Sequence, residues 1–191
     1  LPGFVVLNGG LIPSGGWDNF GNGFLPASHQ ATVFKTGKEP LADIRPRESR
    51  PGAQQAKLGL LNRLDRGVLD RLGHIDELES AIANYEMAYR MQMSVPELTD
   101  LSDEPDHVFD LYGKHSRTPG TYAANCILAR RLAERGVRFI QLFHVGWDTH
   151  GSLSQQLRMQ CDDTDMASGA LVQDLRARGL LEDTLVIWAG E

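Results

Sequence analysis

From Thr121 onward the chain repeats one rhythm, a helix followed by an apolar strand, and this restricts the architecture more than any other feature. Thr121 to Arg135 is dense in strong helix formers, and Gly136 stands where a C-terminal cap belongs. Val137 to Val145 is rich in β-branched and aromatic residues and stops at Gly146, which predicts a strand. A second helix is predicted from Leu153 to Arg178, with Leu157, Cys161, Leu171 and Leu175 on one face and Gly179 as its stop signal. Thr184 to Ala189 then reads as another strand. Strands joined through a helix cannot pair as a hairpin, so the expected solution is an α/β fold with a parallel sheet and right-handed crossovers.

The rest of the chain divides around that unit. Residues 1–35 read as one core strand, Phe4-Val5-Val6-Leu7, feeding a long glycine-rich loop that covers the core. The loop has no GxGxxG or GxxxxGK[ST] arrangement, so a phosphate cradle is not indicated. Residues 36–120 read as a proline-rich, charged connector and a helical insertion. There Leu58, Leu61, Leu64, Val68 and Leu72 recur at helical spacing, followed by Leu78, Ile82, Tyr85, Tyr89 and Met93. Gly73 and His74 make the turn between them and Pro96 closes the second run, which predicts an antiparallel hairpin with the tyrosine and methionine stripe in the core. Residues 121–191 supply the βαβ-type part of the core.

Composition excludes several classes of function. A net charge of −6 with no Lys/Arg-rich run lacks the electrostatic footprint of a nucleic-acid binder. No apolar run approaches the roughly 20 residues needed to span a bilayer, so no membrane span is expected. Cys126 and Cys161 lack CxxC spacing and read as small buried hydrophobes on helices. No GxSxG elbow occurs, and neither cysteine has a histidine at a recognisable distance, which argues against the corresponding nucleophilic hydrolases. The chain starts at Leu1 and ends at Glu191 directly behind an apolar run, as an internal piece of a longer protein would.

The chemically informative stretch is His144-Val-Gly-Trp-Asp-Thr-His150, at the carboxyl end of a predicted parallel strand, where open α/β sheets place their ligands. Asp148 and His150, two residues apart on a non-helical segment, can point to one side and form a ligand pair suited to Zn²⁺, Mn²⁺ or Fe. The same residues also suit a simpler arrangement in which Asp148 caps the next helix and His150 faces solvent. Glu191, after the following strand, would reach the same rim. His144 is placed within the strand, as a core or rim residue. His29, His74, His107 and His115 are expected to face solvent, and Asp162, Asp163 and Asp165 to form a solvated helix face.

Three segments together carry a resemblance: Leu128 to Gln141, Gly146-Trp-Asp-Thr-His150, and Arg178 to Glu191. Phe24 to Phe34, Leu60-Leu-Asn-Arg-Leu64 and Tyr85 to Gln92 agree with them. They resemble the sulfatase-like family known as domain of unknown function 1501. The resemblance implies an alkaline-phosphatase-like core, with relatives that hydrolyse phosphate or sulfate esters at a divalent metal centre. Asp148 and His150 match the family's Trp-Asp-x-His motif and would be metal ligands, as would Glu191, which matches the first Glu of its Gly-Glu-Phe-Gly-Arg-Thr motif. Trp147 and His144 would shape the pocket. The implied cofactor is zinc, manganese, iron or calcium, the implied substrate a small-molecule or polysaccharide ester, and the implied location periplasmic or extracellular. The family's amino-terminal Gly-Gly-Pro-Ser motif and its Gly-Arg-Asp-His motif are not in the sequence, so the nucleophile and remaining ligands are not assigned. A non-catalytic surface or polysaccharide-binding protein that retains the fold and uses Trp17, Trp147 and the glycine-rich loop is the rival expectation.

Overall fold

The computed structural model describes residues 1–10, 12–26, 29–35, 40–41, 50, 52–73 and 75–190. Three strands, β1 (Phe4–Leu7), β2 (Thr32–Phe34) and β3 (Phe139–Leu142), form a parallel sheet in the order β2-β1-β3. Five helices accompany it: α1 (Ala53–Leu72), α2 (Asp76–Thr99), α3 (Asp106–Tyr112), α4 (Tyr122–Glu134) and α5 (Leu153–Ala177). The fold is mixed α/β.

The central strand explains the layering. Val5, Val6 and Leu7 are all buried, so β1 is covered on both faces, as its unbroken apolar run requires. On one face Val5 and Leu7 pack with Phe34, the α2 residues Met91, Val95 and Leu98, and Ala129 and Leu132 of α4. On the other, Val6 meets Phe20 and Ala31, brought in by a short 3₁₀ turn at Gly16–Phe20 within the glycine-rich loop. That loop therefore is the second layer over this part of the sheet. β2 lies outside the expected elements because three residues are too few to register as a pattern, and it is fixed by pairing Val5 to Thr32 and Leu7 to Phe34.

α4 and α5 run side by side in the same direction, as two helices flanking one strand of a parallel sheet must. Tyr122 faces Ser168, Arg130 faces Asp174 and Glu134 faces Arg178. Thr121 caps α4, its hydroxyl accepting from the Ala124 amide. α5 presents Thr164, Ala167 and Ala170 to this contact, small residues that let the helices approach closely, whereas the expected Leu157 is 45% exposed and Cys161 half-buried. Cys126 is buried in the core, and burial pushes its thiol up to about 12.

Three expectations are corrected. Thr184 to Ala189 does not join the sheet: it forms no strand, and Leu185, Ile187 and Trp188 stand exposed. Pro96 does not end α2, which continues to Thr99 because Val95 and Leu98, both fully buried, anchor the turns on either side of it. The Tyr85 and Met93 stripe is not core, with 51% and 67% exposure. α2 spends the Met91, Val95 and Leu98 face instead, because only its last turns reach the sheet. α1 and α2 do pair antiparallel, through Gln54 with Gln92 and Asn62 with Glu86, but α1 buries no residue. The turn residue His74 lies outside the described residues.

Candidate functional site

Parallel strands place all three of their carboxyl ends at one edge of the sheet, and two loops leaving that edge touch. A Cβ added at Gly9, after β1, would sit 2.3 Å from the Phe143 carbonyl oxygen, after β3. Only a residue without a side chain permits that approach. Asn8 holds the first loop in place, its side-chain oxygen accepting from the Gly10 amide and its own amide donating to the Phe34 carbonyl.

The loop from Phe143 to Ser152 carries the expected site residues. His144 follows β3 rather than lying within it, since the strand stops at Leu142. Trp147 Nε1 donates to His144 Nδ1 at 3.1 Å, which makes Nδ1 an acceptor and leaves the proton of the neutral ring on Nε2, 3.8 Å from Asp163. The imidazole also lies edge-on to Tyr122 at 5.3 Å, and Trp147 edge-on to Trp188 at 6.5 Å. Burial penalises the cation and holds His144 below its ordinary value, with Asp163 opposing that shift in part. Gly146, at φ +94°, makes the turn, and a Cβ there would strike the Gln160 amide at 2.5 Å.

Asp148 and His150 are adjacent in space, Oδ1 to Nε2 at 3.0 Å, and both side chains are more than four-fifths exposed. Asp148 does not cap α5, whose N-cap is Ser152 with no side-chain cap bond. The pair presents one carboxylate and one imidazole to open space at the carboxyl edge of the sheet. These donors suit a borderline divalent cation, but two donors are fewer than the three or four protein ligands such ions take. Among the described residues no group of three or more His, Cys, Asp or Glu could hold a metal, and Glu191 lies outside the described residues.

Trp17 is not brought to this loop directly. It packs on Phe20, which in turn packs on Phe143. His29, His107 and His115 are exposed, as are Asp162, Asp163 and Asp165, although Asp163 turns toward His144. Sequence reasoning passed over Gln160, Tyr122 and Asp163 as neighbours of the loop, because each belongs to a helix that only the folded crossover brings back to it.

A family model described as Protein of unknown function (DUF1501) matches residues 1–191. The chain belongs to that family. No curated protein and no solved structure matches it. No helix among the described residues is long and apolar enough to cross a membrane.

Proposed function

We propose that this chain is part of a metal-dependent hydrolase of sulfate or phosphate esters, exported from the cytoplasm, and that its sheet belongs to an alkaline-phosphatase-like core. The observation that carries this reading is the Asp148 and His150 pair, 3.0 Å apart and exposed on the loop that leaves the carboxyl end of β3. Asp148 Oδ1 and His150 Nε2 would hold the ion, with Glu191 as a further ligand. A bound divalent cation supplies a Lewis acid for the ester oxygen and lowers the pKa of a nucleophile. The chain's own residues do the positioning: Gly146 turns the loop, Gln160 packs against that turn, and the Trp147 to His144 hydrogen bond braces the segment from which both ligands project. His144, whose partial burial disfavours its cationic form, anchors the start of the same loop through that bond.

The test is elemental analysis of the purified full-length protein together with hydrolysis of aryl phosphate and aryl sulfate. Stoichiometric zinc, manganese, iron or calcium, and turnover lost in Asp148→Ala and His150→Ala, are expected. Metal content and turnover unchanged in both variants would defeat the assignment. A polysaccharide-binding role is the second reading, favoured by Trp147 and Trp188, which meet edge-on while remaining 41% and 66% exposed. It predicts saccharide affinity that survives Asp148→Ala and is lost in Trp147→Ala.

A further inference from the structure

A cavity opens at the same edge of the sheet, away from the β3 loop. Its volume is about 530 Å³, and its floor is made by Leu7 and Phe34, the last residues of β1 and β2. The carboxyl end of α2 forms one wall and the amino end of α4 the other, with Gly120, Ala124 and Asn125 facing it. None of Asp148, His150 and Trp147 lines it.

Asn125 is the residue that asks for a ligand. It is 6% exposed as a residue, lines the cavity, and its side-chain amide has no hydrogen-bond partner among the described residues. The amide opens onto the cavity, so whatever occupies the cavity, water or a ligand, supplies its hydrogen bonds. The surrounding charge selects what that is. Lys35 lines the cavity with no ion pair to any described residue, and Arg117 lines it with its guanidinium over the Phe109 ring at 4.0 Å. Arg117 is paired with Asp106, which leaves Lys35 as the lining cation without such a partner among the described residues, and the one lining carboxylate, Asp100, accepts from the Ser102 amide at 3.0 Å. The positive end of the α4 dipole adds to the same sign. Below these groups the lining is hydrocarbon and aromatic: Leu7, Phe34, Val95, Phe109 and Leu128.

We propose that this cavity is a binding site for a small organic monoanion, a carboxylate head on an apolar body. The head lies between Lys35, the Asn125 amide and the amino end of α4, and the body rests on the β1 and β2 floor. The site is separate from the Asp148 and His150 pair and does not depend on the reading of that pair.

Calorimetric titration of the full-length protein with phenylacetate, and with phenylacetamide as its uncharged counterpart, tests this. Phenylacetate is expected to bind at one equivalent, at least roughly tenfold more tightly than phenylacetamide. Lys35→Gln and Asn125→Leu should each weaken it by about that factor, and Asp148→Ala should leave it unchanged. Without phenylacetate, Asn125→Leu should melt no lower than the parent, because it removes an unpaired amide at nearly constant volume. No saturable binding in the millimolar range would mean that solvent alone satisfies Asn125, and would overturn the proposal. So would equal affinity for both probes, or binding that Asp148→Ala abolishes and Lys35→Gln does not. If Asn125→Leu does not fold, Asn125 is structural, and Lys35→Gln with the probe pair still decides the question.

Discussion

The two helix pairs of this protein obey the same sequence rules and come to different ends. α4 buries nine of its 13 residues and is held against α5 by charges removed from water. Arg130, only 3% exposed in its side chain, meets Glu104, Glu134 and Asp174, and Asp174 also accepts from the Tyr112 hydroxyl and from Arg178. Burial alone would depress the Arg130 pKa, but hydrogen bonds to Glu104 and Glu134 outweigh it and the cation is held firmly charged. α1 has an equally regular leucine stripe and buries nothing. Leu64 and Leu72 are 58% and 71% exposed, and the groove it makes with α2 is open. A helical period therefore states that a face exists, not that the fold uses it; the topology decides, and here it places α4 against the sheet and α1 against the exposed part of α2.

The comparison is sharpest at matched residues. Arg130→Ala removes the central cation from Glu104 and Asp174, each 8% exposed, and from the half-buried Glu134, leaving only Arg131 and Arg178 to face them, and is expected to destabilise the protein by about 3–5 kcal/mol. Arg90, on the α2 surface beside Glu86 at 3.6 Å, should lose no more than about 0.5 kcal/mol when changed to Ala. Urea unfolding of the two variants measures both, and equal losses would break the distinction drawn between the pairs. The next effect separates the sheet-facing end of α2 from α1. Leu98→Ala, at a fully buried position in the core cluster, should cost about 2–5 kcal/mol. Leu64→Ala on α1 should fall within about 0.5 kcal/mol of the parent.

These contrasts also mark what the sequence makes legible. The helices over 53–72, 121–135 and 153–178 follow from periodicity, strong helix formers and glycine stops, and each stands within a residue or two of its expected bounds. The β1 strand follows from four consecutive apolar residues, and the parallel sheet from the strand and helix order. What escapes is whatever depends on partners remote in the chain. Val95 and Leu98 become core only when the sheet arrives, Ala167 and Ala170 matter because α4 is close, and Asp174 looks like any helix-surface acid until Arg130, 44 residues earlier, lies beside it. Thr184 to Ala189 fails in the opposite sense: its composition is that of a strand, but an apolar run becomes one only by pairing, and among the described residues no strand pairs with it. At the site, the glycine turn and the Asp148 and His150 spacing are legible, whereas Asn125, an asparagine inside a helix, carries no local signal.

A smaller effect tests how firmly the α4 and α5 pair holds the β3 loop. Tyr122 and Asp163 come from these helices and flank His144. Since the folded imidazole lies below its ordinary value of 6.5, the unfolded chain takes up the proton first as pH falls. Stability is then lost on going from about pH 7 down through the folded pKa, and this contribution is constant above that window. Protonation at Nδ1 also removes the acceptor for Trp147, so tryptophan emission should shift over the same range. His144→Gln is expected to flatten both dependences. A parent whose stability is unchanged between about pH 7 and about pH 5 would show that the loop is not coupled to the pair.

The smallest change in overall stability is expected from Gly67→Ala, and it discriminates most finely between the two helix pairs. Gly67 is in the interior of α1, and a Cβ there meets nothing within 4 Å, so alanine gains about 0.5–1 kcal/mol of local helix stability with no steric penalty. If α1 opens by itself, as a helix with no buried residue should, the gain appears as slower amide exchange within residues 53–72 and leaves the global melting curve and the exchange of α4 where they were. If the whole chain instead gains stability, α1 unfolds together with the core. The exposed leucine stripe is then part of one cooperative unit despite its solvent contact, and the line between the helix pairs has to be redrawn at the end of α1 rather than within α2.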